Sequence, residues 1–331
     1  MKLDDTKKNR KYATQTLIPE ITYQLNSGEF FKKSQIPKVS DFARISFKMH
    51  EVHRKESTKY DYEASLRLHI IPYFGEHKLD SIKSSDLALW QNKVLERVSA
   101  RRLKNIRSVF NSILEDAISD GWIDKNPFAR VKLPKCAPID IQPFSMSEIA
   151  QILHAAKPSL RAFYAIGFFT GMRVGEIIAL KWSDIDFTKR EISISKAIRM
   201  GRLSSPKTTN SVRTVEIIDV LLPHLKKHYE LTGNKESFVF LTGEDTPLFD
   251  SKSVRDHDWK RILKELDLKY RTLYQMRHTF TTVMIENGED ILWVSNMLGH
   301  KDSTMTTTLT RYAKYIKREG KQRATFMNAM F

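Results

Sequence analysis

Apolar positions divide the chain before any other property does. Between residues 12 and 25, Leu17, Ile21 and Leu25 recur at helical spacing, and Asn26, Ser27 and Gly28 close the pattern. From Val39 onward the helical period is sustained. Phe42, Ile45, Phe47 and Met49 mark one segment, and residues 60–71 mark a second that Pro72 and Gly75 are expected to stop. Ser84, Ser85 and Asp86 offer an N-cap for a third helix carrying Leu87, Leu89, Trp90 and Val94. A fourth covers residues 100–118, with Ile106, Phe110, Ile113 and Leu114 inside and Gly121 as its cap. Residues 39–130 thus read as a helical domain, preceded by a polar segment, 1–38, too short to bury a core of its own.

Prolines at 134, 138 and 143 make residues 131–143 an extended linker. Ser145 and Glu148 then form a capping box ahead of Ile149, Ile152 and Leu153, so a second domain, 144–331, starts here. Residues 160–169 are apolar and end at Gly171, and residues 177–182 read as another buried helix. The period changes over residues 184–217, where Ile192 and Ile194, then Val215 and Ile217, alternate with polar neighbours as strands do. Helical spacing returns over 220–231, 256–266, 279–287 and 291–298. The fold class is mostly α with a small antiparallel β-sheet or hairpin.

Composition narrows the function classes. The 331 residues are 41% hydrophobic and 10% aromatic, enough for packed cores and too much for a disordered basic tail. A single cysteine, Cys136, excludes a disulfide framework and a cysteine-based zinc site, and points to a reducing, cytoplasmic compartment. No run approaches the roughly 18–20 uncharged apolar residues of a membrane span, and the first residues lack the apolar centre of a secretory signal. Lys and Arg number 55 against 39 Asp and Glu, a net charge of +16 that calls for a polyanionic partner, nucleic acid first. Basic side chains cluster at Arg101, Arg102, Lys104 and Arg107. They also run without any acid through residues 196–213, which include Arg199, Arg202 and Arg213. Both stretches are candidates for DNA contact, against the alternative of a solvated surface.

Common catalytic signatures are missing. No glycine pattern fits a phosphate-cradling loop, and His50 and His53 are too close together for a metalloprotease pair. His224 and His228 are one turn apart but have no evident third ligand, and read as a surface pair. No carboxylate cluster suggests a two-metal nuclease. What remains is a series of cationic and phenolic residues in the second domain. Arg173 lies among Phe168, Phe169, Ile177 and Ile178, where a guanidinium needs a partner, and Glu176 one turn later can supply it. Lys207 lies in the hairpin region, and Tyr274-Gln275-Met276-Arg277-His278 places a second arginine at the start of an apolar helix. His300 follows Gly299 at a helix end, and Tyr312 and Tyr315 sit in a basic stretch. Each alone has an ordinary structural explanation; their order together is specific.

In that order the motifs resemble those of the tyrosine site-specific recombinases, or phage-type integrases. TGMRVGEIIALKW, residues 170–182, is similar to the first arginine box, with Arg173 as catalytic arginine and Glu176 as supporting acid. YQMRHTF, residues 274–280, is similar to the second box around Arg277, and MLGHKD, residues 297–302, to the motif that carries His300. Lys207 and Tyr312 fall where the family has its hairpin lysine and its nucleophile. The resemblance covers about residues 39–320 and implies a two-domain architecture, an all-helical core-binding domain and a mixed α+β catalytic domain, closing on duplex DNA. It implies that Arg173, Arg277, His300 and Tyr274 hold one scissile phosphate and that Tyr312 attacks it to give a 3′-phosphotyrosyl link. Lys207 would then protonate the departing 5′ oxygen, with no metal, ATP or other cofactor. His278 is expected to be a supporting residue bonded to backbone. The implied partners are double-stranded DNA attachment sites, a homo-tetramer with the C-terminal tail exchanged in trans, and an accessory directionality factor. The implied setting is a phage or mobile element in a bacterial cytoplasm, at the nucleoid, with no membrane.

The sequence departs from the family pattern twice. Tyr274 stands where the family commonly has histidine; a phenol still donates a hydrogen bond but has no cationic form near neutral pH. Tyr312 follows His300 by twelve residues, where about nine is usual, which implies an insertion between them. Leu309 stands at the usual distance and has no nucleophilic atom, and Tyr315 is the alternative to Tyr312. Residues 5–30 resemble the tail of an arm-type DNA-binding domain. Two other readings stay open at this level: a type IB topoisomerase-like enzyme and a catalytically inactive DNA-binding protein.

Overall fold

Two large hydrophobic cores form, one in each of the units Met1–Pro138 and Ile139–Phe331. The computed structural model describes residues 5–27, 36–137, 140–199, 201–204, 212–233, 237–244, 246–300 and 312. In the first unit, α1 (Val39–Met49), α2 (Glu56–Ser65), α3 (Ser84–Leu95) and α4 (Ala100–Ser119) enclose an aromatic centre. The Phe110 ring lies 5.2 Å from Phe74 and 5.7 Å from both Trp90 and Phe128. Leu89 is left exposed, because it lies two residues from Leu87 and off the face that buries Leu87, Trp90 and Val94.

Proline does not stop the second helix. Directly before Pro72 the turn Leu66–Ile70 widens to π geometry, and the helix then continues through Ile71–Phe74 to Gly75. A proline ring clashes with the carbonyl four residues back in a regular α-helix, and the wider turn relieves that clash. The same device precedes Pro19, where Ala13–Leu17 is a π turn between the α-helical stretches Lys7–Tyr12 and Ile18–Asn26. That helical run begins earlier than residue 12, because the Thr6 hydroxyl accepts from the backbone N–H of Asn9 and caps it.

Arg107 corrects the expectation of a DNA-facing arginine. Its guanidinium donates to Gln91 Oε1 at 2.8 Å and to the Phe128 carbonyl at 3.3 Å, and lies 4.4 Å above the Phe128 ring. Four residues after Leu103 and three before Phe110, it shares the buried face of α4. Arg102 is half-buried against Ser65 and Asp61, whereas Arg101 and Lys104 remain exposed.

The second unit orders α5 (Met146–Ala155), α6 (Pro158–Thr170) and α7 (Val174–Ile178) before its strands. β1 (Ile185–Asp186), β2 (Glu191–Ile194) and β5 (Arg213–Glu216) form one antiparallel sheet, in the order β1-β2-β5, with Ile192 opposite Val215. β3 (Ala197–Arg199) and β4 (Arg202–Ser204) form a separate hairpin. A Cβ at Gly175 would come within 2.5 Å of the Ile198 carbonyl oxygen, so glycine there lets β3 lie directly against α7. Among the described residues, α8 (Leu222–Thr232), α9 (Lys260–Glu265), α10 (Gln275–Glu286) and α11 (Ile291–Leu298) follow the strands.

Three boundaries differ from the periodicity. α7 ends at Ile178, and a short 3-10 turn, Trp182–Asp184, replaces the end of the expected 177–182 helix. Helical turns at Ser251–Ser253 and Val254–Trp259 lead into α9, ahead of residue 256. α10 starts at Gln275, which places Arg277 inside its first turn. His228 corrects the surface-pair reading: it is 2% exposed, stacked on Phe240, with Nε2 2.8 Å from the Val239 carbonyl oxygen. Ile141, from the stretch read as linker, is buried in this unit, as is Phe144 at the start of the second domain. Phe144 N–H donates to Thr279 Oγ1 at 2.9 Å and Gln142 N–H to Gln275 Oε1 at 3.1 Å, which pins this stretch along α10.

Candidate active site

The end of α6 starts the site. Gly171 takes a left-handed φ of +64°, and a Cβ there would meet Phe280 at 2.6 Å and Leu298 at 2.8 Å, so the reversal needs glycine on both counts. Arg173 follows as the N-cap residue of α7. Glu176 accepts from the Arg173 backbone N–H at 2.9 Å and from its guanidinium at 2.8 Å. Arg213 reaches the same carboxylate from β5, with Nη2 donating to Oε2 at 2.9 Å and Nη1 to Oε1 at 3.3 Å. Its Nε donates to the Met297 carbonyl at 3.0 Å.

Burial is the strongest single influence on Glu176 and pushes its pKa up. The hydrogen bonds and charge of Arg213, then the charge and backbone N–H of Arg173, outweigh burial and hold the carboxyl at about 2. Glu176 is therefore ionised near neutral pH and keeps both arginines oriented. The Arg213 side chain is only 8% exposed, which corrects its assignment to a DNA-contacting surface: it is a brace for the site.

Arg277 is 3% exposed. Nη1 donates to the Gly171 carbonyl at 2.7 Å, and Nη2 donates to the Leu298 carbonyl at 2.7 Å and to His300 Nε2 at 2.9 Å. The carbonyls belong to the C-terminal ends of α6 and α11, where unpaired C=O groups carry partial negative charge. Burial first, then the charge of Arg173, lower the Arg277 pKa to about 10, which still leaves the guanidinium charged near neutral pH. Because arginine has no acceptor, His300 Nε2 must accept in this contact and its proton sits on Nδ1. Among the described residues, the second N–H of Arg277 Nη1 and its Nε–H are uncommitted.

The neighbouring position on α10 serves a different partner. His278 is 3% exposed, and its Nδ1 is hydrogen-bonded to the hydroxyl of Tyr312, where the sequence led us to expect a backbone contact. Tyr312 is 4% exposed and packs with Ile141 and Ile285. Tyr274, one turn before His278, is 45% exposed and stands edge-on to the imidazole at 5.0 Å.

The structure thus joins Arg173, Glu176, Arg213, Arg277 and His300 through shared hydrogen bonds, and gathers Tyr274, His278 and Tyr312 at α10. Lys207 and Tyr315 lie outside the described residues, as does the Arg199 side chain. Arg202 is exposed on β4. Among the described residues, no group of three His, Cys, Asp or Glu could hold a metal ion, and no helix is long and apolar enough to cross a membrane.

Guanidinium forks match the geometry of a phosphate, and a tyrosine hydroxyl is able to attack one, chemistry suited to breaking and rejoining phosphodiesters. Residues 142–315 match the phage integrase family, and residues 38–95 match the N-terminal SAM-like domain of phage integrases. The chain belongs to this family of tyrosine recombinases and is a DNA breaking and rejoining enzyme, working through the family's phosphotyrosine intermediate. It is similar to a XerC-like tyrosine recombinase of Caldanaerobacter subterraneus subsp. tengcongensis, 28% identical over 321 residues, covering 86% of this chain and 81% of that relative. Its fold is similar to that of the Tn1549 transposon integrase in complex with a circular intermediate DNA, with a TM-score of 0.74 at 21% identity over 89% of this chain and 99% of the other. It is also similar to a lambda integrase tetramer bound to a Holliday junction, with a TM-score of 0.70 at 21% identity over 92% and 90% of the two chains.

Proposed function

We propose that this chain carries out site-specific strand exchange, with Tyr312 as nucleophile and with Arg173 and Arg277 as the clamp on the scissile phosphate. One observation carries the assignment. Arg277 is bonded to the Gly171 carbonyl, two residues before Arg173, so the two arginines converge on one turn, and each is held from behind by protein acceptors. Attack at phosphorus builds charge on the non-bridging oxygens, and prepositioned cations stabilise that charge without reorganising. His300 orients Arg277, and the exposed Tyr274 hydroxyl adds a donor. Lys207 protonates the departing 5′ oxygen. The covalent link retains the bond energy for rejoining, so no nucleotide is consumed.

In this reading residues 39–130 form the core-DNA-binding domain, 131–143 the connection and 144–331 the catalytic domain, while residues 5–30 belong to an arm-type element. The integrases named above are complexed with DNA, and one of them is a tetramer, which supports DNA as partner and a multimeric assembly. Here the substrates are two duplex attachment sites of a phage or other mobile element, held by a homo-tetramer whose residues 320–331 pass to a neighbouring subunit. An accessory directionality factor acts on the same complex. The work is done at the bacterial nucleoid.

The test is a pool of nicked duplexes with randomised sequence on both sides of the nick, from which protease-sensitive covalent adducts are isolated in detergent and sequenced. Adducts of wild-type protein with one enriched sequence, lost in Tyr312→Phe and kept in Tyr315→Phe, are expected. Adducts lost only in Tyr315→Phe move the nucleophile, and no adduct from wild type leaves a DNA-binding protein without strand exchange.

A further inference from the structure

The hydrogen bond between His278 Nδ1 and the Tyr312 hydroxyl gives the nucleophile an immediate proton acceptor. Resting on the assignment of Tyr312 as nucleophile, we propose that His278 is the general base of the cleavage step, a catalytic role outside the family motif positions matched by Arg173, Lys207, Tyr274, Arg277 and His300.

A phenol titrates near pH 10 and is a weak nucleophile while protonated, so attack near neutral pH calls for a base within hydrogen-bond reach. Imidazole is the side chain best matched to that task. With Tyr312 donating, His278 accepts on Nδ1 and carries its own proton on Nε2. Both rings are almost fully buried, and Ile141 and Ile285 pack on the tyrosine, so bulk water does not compete for the phenolic proton.

Tyr274 and His278 lie on one face of α10, one turn apart. The family commonly has a histidine at the place of Tyr274, and this chain has a phenol. Four residues further along α10 is the same helix face, about 6 Å along the axis, and His278 stands at that place. The Tyr274 ring stands edge-on to the imidazole at 5.0 Å and walls it, while its exposed hydroxyl stays available as the donor proposed above. Arg277, the adjacent charged residue, turns its guanidinium to Gly171, Leu298 and His300. Phosphate and proton are thus handled by neighbouring side chains on different faces of one helix.

The step balances. The Tyr312 O–H bond breaks and its proton moves to His278 Nδ1, the tyrosine oxygen bonds to phosphorus, and the bond from phosphorus to the 5′ oxygen breaks as that oxygen takes a proton from Lys207. In rejoining, the 5′-hydroxyl returns its proton to Lys207, and the imidazolium returns its proton to Tyr312 as the tyrosine leaves.

The experiment measures the rate of adduct formation on the duplex recovered from the randomised pool, made with either oxygen or sulfur at the 5′ bridging position. A sulfur leaving group needs no acid, so Lys207→Ala should be slow on oxygen and restored on sulfur. His278→Asn should be slowed by about 10²- to 10⁴-fold on both, because the proton it handles is the nucleophile's. Imidazole in the buffer should raise the rate of His278→Ala by about tenfold or more. Melting temperature and DNA affinity of both His278 variants are measured alongside, with His278→Gln as a second isostere in case one fails to fold. A His278→Asn rate within about threefold of wild type overturns the proposal, as does rescue of that variant by the sulfur substrate, or a folded His278→Ala that imidazole does not restore. Failure of wild type to form any adduct, or persistence of the adduct in Tyr312→Phe, instead overturns the assignment of Tyr312.

Discussion

Glu176 and Arg213 meet from different elements, α7 and β5, as a doubly hydrogen-bonded ion pair inside the catalytic unit. The pair decides where Arg173 points, because Arg173 shares the same carboxylate. Arg213 on β5 thereby helps orient Arg173 through their shared carboxylate.

Removing Arg213 leaves Glu176 buried with one cation instead of two. Truncating one partner of a buried pair costs about 3–5 kcal/mol, so Arg213→Ala should lose that much stability in urea unfolding. Arg213→Lys should fall between, because an ammonium cannot serve both carboxylate oxygens and the Met297 carbonyl at once. Arg202→Ala on the exposed hairpin should stay within about 0.5 kcal/mol of wild type. Equal losses at Arg213 and Arg202 would contradict the bracing role.

The depressed pKa of Glu176 has a defined sign. Its folded value is about 2 against an ordinary 4.5, so its contribution to stability is fully present above pH 4.5 and is lost as pH falls toward 2. The size is about 3 kcal/mol. The stability difference between wild type and Glu176→Gln should therefore shrink by about that amount between pH 5 and pH 2, measured by denaturant unfolding at each pH. A difference independent of pH over this window would mean that Glu176 is not held ionised by its arginines.

Much of this architecture is legible in the chain, and the exceptions have physical causes. Helical period, caps and motif order are local, so α4, α5 and α11 and both arginine boxes stand out. The bracing role of Arg213 also has a signal: it is in phase with Val215 on the buried face of β5 and with Ile217 just beyond the strand's end. Arg107 has the same kind of signal, one turn from Leu103 and Phe110. Reading both as phosphate contacts gives charge priority over phase. The contact of His278 with Tyr312 has no such signal, because 34 residues separate the partners and only tertiary packing joins them. The π turns before Pro19 and Pro72 are equally hidden, since a widened turn has no residue signature.

Phase against charge can be tested on α4. Lys104 is exposed and Arg107 is bonded inward to Gln91 and Phe128. Lys104→Ala should weaken duplex binding and reduce the slope of log affinity against log salt by about 1, if it touches a phosphate. Arg107→Ala should leave that slope unchanged and instead cost about 1–3 kcal/mol of stability, from lost charge-assisted hydrogen bonds and the contact with the Phe128 ring. A salt slope that changes in Arg107→Ala with stability intact would return Arg107 to the DNA surface.

The sharpest separation of binding from chemistry should come at Arg277. Its fork is built into the protein on three sides, by Gly171, Leu298 and His300. Arg277→Lys keeps a positive charge but cannot span those acceptors and still present N–H groups to a phosphate. Overall DNA affinity rests on many phosphate contacts spread over a chain of net charge +16, so it should change by less than about threefold. Adduct formation depends on donors aimed at charge that develops only in the transition state, and losing one such donor costs about 10²- to 10³-fold. Gel-shift titration and the rate of covalent adduct accumulation, measured on one nicked duplex, should therefore diverge by that factor. A parallel loss in both would mean that Arg277 is a binding residue, and an unchanged adduct rate would remove it from the clamp.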